Sequence, residues 1–114
     1  MLALNRSAIV VTAKQPFLDW LHSIDPDSVD LTLATLREEP AIYLFAECGD
    51  DRAFEYQLRK HFAVIFEEEL RGWYNDPSTW PGRRTFRMFR QWFDVAVHSM
   101  VIDLADRTLF REEM

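Results

Sequence analysis

The chain is poor in glycine, with three residues in 114, and it has a single cysteine. Loops with so little glycine do not cradle phosphates, and none of the glycine patterns of dinucleotide sites, P-loops or nucleophile elbows occurs. One thiol, Cys48, makes no internal disulfide, and no Cys/His spacing reads as a zinc site, so neither a metal nor a cofactor is expected. Long apolar runs are missing too. AIVV, from Ala8 to Val11, is too short for a signal peptide and has only Arg6 ahead of it, and nothing approaches the roughly 18 residues of a membrane span. These absences point to a soluble, unprocessed, cytoplasmic protein with no membrane partner. Bases are also scarce: 13 Lys and Arg stand against 19 Asp and Glu, and the net charge of -6 opposes phosphate backbones at long range. Nucleic acid is therefore a disfavoured partner.

What is present is a core. An apolar fraction of 48% and an aromatic fraction of 14% over one domain's length suffice to fold without disulfide or metal. SAIVVTAK, from Ser7 to Lys14, is a β-branched run of the kind buried on both faces of a sheet. QPFLDWLHSI follows, with Pro16 in a first helical turn, Phe17, Leu18, Leu21 and Ile24 on one side, and Pro26 beyond the end. Leu33 and Leu36 point inward from a short helix before Pro40, and AIYLFAE, from Ala41 to Glu47, is a second buried strand. Phe54, Leu58, Phe62, Ile65 and Phe66 form the stripe of a helix from about Asp51 to Trp73, capped by Asp50 or Asp51.

Asn75-Asp76-Pro77 and Trp80-Pro81-Gly82 mark a loop. A helix from about Thr85 to Trp92 comes next, then a third strand, VAVHSMVIDLA, from Val95 to Ala105, and a tail with a candidate edge strand at Thr108 to Phe110. The expected fold is α/β (or α+β), a single small domain over residues 1–114. Its three-stranded sheet has the order β-α-α-β-α-α-β, with helices packed on the sheet, right-handed crossovers, and the direction of the third strand open.

The blocks KQPFLDWL (Lys14 to Leu21), EEELRGWY (Glu67 to Tyr74) and FDVAVHSMVIDL (Phe93 to Leu104) resemble a family of small, acidic, uncharacterised bacterial proteins with the same order of segments. The resemblance covers most of the chain and implies a bacterial single domain. It implies no activity, cofactor or catalytic residue.

Few side chains suggest catalysis. Cys48 stands at a strand-to-helix junction, where α/β folds present ligand-binding groups, but Asp50 and Asp51 favour the thiol over the thiolate. A His98–Ser99–Asp103 triad fails on one strand, because side chains alternate and Ser99 and Asp103 lie about 13 Å apart along it. His98 shares its side with Ala96, Met100 and Ile102 and is expected in or beside the core. Glu67, Glu68 and Glu69 fan about 100° apart and cannot chelate one ion. Glu69 falls within the apolar stripe, so an arginine should reach it unless the stripe has met solvent there. His22 and His61 read as boundary histidines without a second ligand at helical spacing.

The stretch WYNDPSTWPGRRTFRMFRQWF, Trp73 to Phe93, is the conspicuous one. On a helical projection Phe86, Met88, Phe89, Trp92 and Phe93 occupy one arc, and Arg83, Arg84, Arg87, Arg90 and Gln91 the opposite arc. The aromatics build the core and the arginines form a basic surface. That surface either pairs internally with Glu67, Glu68, Glu69 or the acidic tail, or receives an acidic partner: a protein segment, a second copy or, as a lesser alternative, a phosphate-bearing ligand. The reading is a non-enzymatic protein-interaction domain using Arg83, Arg84, Arg87 and Arg90, with Trp73 and Trp80 as aromatic anchors and a protein segment or a second copy as partner. The alternative is a small enzyme or ligand-binding protein with Lys14, Glu47 and Cys48 at the strand ends, if the first two strands are parallel neighbours.

Overall fold

A computed structural model of the chain describes residues 1–113. It is a mixed fold of five strands and four α-helices: β1 (Leu2–Ala3), β2 (Arg6–Ala13), α1 (Gln15–Ile24), α2 (Leu33–Leu36), β3 (Ala41–Ala46), α3 (Asp51–Trp73), α4 (Phe86–Trp92), β4 (Phe93–His98) and β5 (Ile102–Asp103). Side-chain caps start the later helices. Asp50 accepts from the Ala53 amide at 2.8 Å to begin α3, and Thr85 accepts from the Met88 amide at 3.1 Å to begin α4. No helix among the described residues is long and apolar enough to cross a membrane.

β2 is the middle strand of a three-stranded sheet ordered β3-β2-β4, and both neighbours run antiparallel to it. β3 and β4 thus run the same way on either side of β2, and the connection between them through α3 and α4 crosses over β2. This corrects the expectation of crossovers between successive strands. A connection of two helices permits either direction, and the register from Arg6 opposite Ala46 to Val11 opposite Ala41 makes these neighbours antiparallel.

On β2 the side chains of Ser7, Ile9, Val11 and Ala13 are all buried beneath the helices. The same face carries Tyr43 and Phe45 of β3 and Phe93 and Val95 of β4, while the helices contribute Phe17, Leu21, Leu58, Phe66, Leu70 and Phe89. Phe93 is the meeting point: its ring lies 5.4 Å from Phe17 of α1, 5.2 Å from Phe66 of α3 and 5.1 Å from Phe89 of α4, between centroids. α4 passes into β4 without a loop, so this one side chain closes the helix and opens the strand.

The opposite sheet face has no helical cover. Ile42 and Leu44, which share it with Val10 of β2 and Ala96 of β4, are 65% and 48% exposed. The expectation that β3 is buried on both sides is therefore wrong, because every helix packs on the inner face.

The expected third strand from Val95 to Ala105 is also two elements. Ala8 opposes His98 while Ala3 opposes Ile102, so five steps along one chain match four along the other. A bulge of this kind ends regular pairing and increases local twist. Beyond it, β1 and β5 continue as a two-stranded ribbon, and Thr108 to Phe110 form no strand.

Truncating the meeting point should cost far more than truncating an exposed apolar residue. Phe93→Ala is expected to lose about 3–5 kcal/mol in urea unfolding, against no more than about 0.5 kcal/mol for Val64→Ala on the exposed side of α3. Equal losses would show that Phe93 does not organise the core.

Candidate functional site

The aromatic and arginine sides of α4 separate in three dimensions. Phe89 is fully buried, Phe86, Met88 and Trp92 are half-buried, and Arg87, Arg90 and Gln91 face solvent. Arg83 is exposed just ahead of the helix. Arg84 behaves differently: its guanidinium donates to the Glu67 carboxylate at 2.7 Å and to the Pro81 carbonyl at 2.7 Å. Internal pairing thus takes Arg84 out of the expected surface, and Arg71 likewise pairs with Glu68 one turn earlier on its own helix. Among the described residues Arg83, Arg87 and Arg90 have no ion pair. Arg90 borders a cleft of about 220 Å³ that also holds Asp51 and Glu55, but Glu55 is paired with Arg59 at 3.3 Å. Arg59 in turn stacks over Phe86, 4.4 Å from the ring centroid, and adds a further cation beside α4.

The strand-end residues do not converge. Antiparallel pairing places Lys14 and Glu47 at opposite ends of the sheet, about 30 Å apart at roughly 3.3 Å per residue. The condition for a shared Lys14, Glu47 and Cys48 site is therefore unmet. Lys14 instead joins the arginines, its Nζ donating to the Arg90 carbonyl at 3.3 Å, at the negative end of α4. Cys48 is buried, its amide donating to the Ser7 hydroxyl at 2.9 Å. Burial pushes its thiol pKa up, Asp50 adds to the shift, and the contact with Ser7 opposes it in part. It is a packed thiol and a poor nucleophile.

The two tryptophans part company as well. Trp80 is buried, its indole donates to the Tyr74 carbonyl at 2.8 Å, and Arg71 lies over its ring at 5.3 Å, so it seals the core and is no interface anchor. Trp73 remains 37% exposed, but beside Glu39, Glu68 and Glu69 and away from the arginines. His98 is exposed, which corrects its expected burial: it projects from the uncovered sheet face. No group of three or more His, Cys, Asp or Glu side chains among the described residues is arranged to hold a metal ion.

No family model, curated protein or solved structure matches this chain. The functional argument therefore rests on the geometry.

One polar contact was not foreseeable from helical periodicity. Glu69 is reached by no arginine: the Tyr43 hydroxyl, from the facing strand, donates to its Oε2 at 2.7 Å. The pair lines a cleft of about 330 Å³ together with Phe17, Leu36 and Trp73. Burial raises the Glu69 pKa, Glu68 raises it further, and the Tyr43 hydrogen bond pulls it partly back. Burial, reinforced by the bond to Glu69, also raises the Tyr43 pKa. A tyrosine at the matching height on β3 was the only available signal, and its use required the β3–α3 packing.

A carboxyl whose folded pKa is raised favours folding while protonated, and that contribution fades as pH climbs through the folded value. Glu69→Gln keeps an oxygen for Tyr43 without a charge. Its melting temperature should exceed that of the wild type at pH 7, with the gap narrowing toward pH 4; a gap independent of pH would contradict the raised pKa. Tyr43→Phe should cost about 1.5–3 kcal/mol at pH 7, the range for a hydrogen bond to a charged group.

Proposed function

We propose that the chain is a protein-interaction domain whose α4 surface receives an acidic segment of a partner protein. The observation that carries this reading is the group of cations around α4. Arg83, Arg87 and Arg90 are exposed without carboxylate partners among the described residues, and the Lys14 ammonium lies against the Arg90 carbonyl. α4 is a firm platform, because Phe89 on its other side is fully enclosed by the core. The charge distribution adds support. From Arg71 to Phe93 five bases and one acid give +4; with Glu67 and Glu68, which pair with Arg84 and Arg71, the region keeps +2, so the remainder of a chain of net charge -6 carries -8. A local cationic surface on an acidic protein selects a local anionic partner and repels general polyanions at longer range. Arginine suits the task, since its planar fork binds carboxylates in a bidentate way.

The test is affinity capture from the native cell, followed by titration of the captured protein. The triple variant Arg83→Glu, Arg87→Glu and Arg90→Glu is expected to bind about tenfold or more weakly, from roughly 0.2–1 kcal/mol per exposed pair plus the repulsion introduced. Wild-type binding should weaken as salt rises. Equal retention of the same partner by both proteins would sink the proposal, as would tight, salt-sensitive binding to a single-stranded oligonucleotide in place of any protein.

A further inference from the structure

The molecule exposes too much surface for its mass. A folded monomer of 13.5 kDa should expose about 6,500 Å², whereas this chain exposes 8232 Å². It is extended as well: its radius of gyration is 15.6 Å and its long axis 46 Å, against a radius of about 13 Å for a compact domain of this length. The excess has two sources. One is the uncovered sheet face, where antiparallel sheets ordinarily turn polar residues to solvent but Ile42 and Leu44 stand exposed. The other is the β1–β5 ribbon and the segment after it. There Leu2, Met100, Leu104 and Phe110 are each more than two-thirds exposed, at 72%, 72%, 78% and 75%.

We infer that this face and this ribbon are the interface of a symmetric homodimer. A single chain carries both an open apolar face and an apolar arm projecting past its own core. A two-fold axis lets each copy use both at once, in a closed isologous contact. The size agrees. The surface in excess of a compact monomer, 8232 Å² against about 6,500 Å², is ample for the roughly 800 Å² that each partner loses in an interface of standard size. Charge agrees too. Two copies of net charge -6 repel in general, but on this face the carboxylate of Asp94 is paired with Arg37 at 3.6 Å and Arg6 adds a cation, so the face itself does not carry that negative excess. The offset in register between β2 and β1 separates the ribbon from the main sheet.

The surface is separate from the arginine side of α4, so its failure leaves the acidic-partner reading standing, and the reverse. Sedimentation equilibrium of the full chain between about 1 and 200 µM reads it directly. The expected species has twice the 13.5 kDa chain mass. Ile42→Asp and Leu44→Asp, on the face, and Leu104→Asp, on the arm, should each shift the population to monomer by at least tenfold in dissociation constant. Val64→Asp, on the exposed side of α3, should leave the dimer intact. Circular dichroism confirms folding, and Leu104→Asp, which touches no core residue, decides the matter if a sheet variant fails to fold. A wild-type monomer at every concentration overturns the inference. So does a dimer insensitive to Ile42→Asp, Leu44→Asp and Leu104→Asp, or open growth into larger species.

Discussion

The packing of Phe93 against Phe17, Phe66 and Phe89 is the contact on which the rest of the molecule depends. Phe93 is the last cap of α4 and the first residue of β4, so burying its ring fixes a helix and a strand at once. The three partner rings come from α1, α3 and α4. One cluster therefore ties every long element to the sheet, and edge-to-face geometry such as the 89° between Phe66 and Phe93 adds specificity to the apolar burial.

The surfaces follow from that cluster. Because Phe86, Phe89 and Trp92 of α4 all turn toward the core rings, Arg87 and Arg90 have only the outside of the helix to occupy. Because α1, α3 and α4 all converge on one side of the sheet, none is left for the other side. The cationic patch and the bare apolar sheet face are thus two consequences of a one-sided core.

Buried polar chemistry is sparse and local. Glu69 lies in the apolar stripe of α3 and keeps its place through the Tyr43 hydroxyl, and Cys48 is held by backbone and hydroxyl contacts while burial raises the pKa of its thiol. Their physical role is to satisfy hydrogen bonds in places where water has been removed.

Local patterns determined much of this protein. The Asp50 cap, the apolar stripe and Trp73 bound α3 because capping and helical periodicity act within a few residues. The inward rings and outward arginines of α4 follow from the same 100° step. The β-branched run makes β2 a strand, since its side chains pack on a pleated surface whichever neighbours it finds. The tertiary structure alone decided the rest: that β2 lies between two antiparallel partners, that Lys14 and Glu47 stand at opposite ends, that Tyr43 serves Glu69, that Arg84 is bound while Arg87 is free, and that a bulge divides β4 from β5. Each of these depends on which elements meet, and runs such as AIYLFAE and VAVHSMVIDLA carry the same apolar residues whether a helix, a second copy or water lies against them.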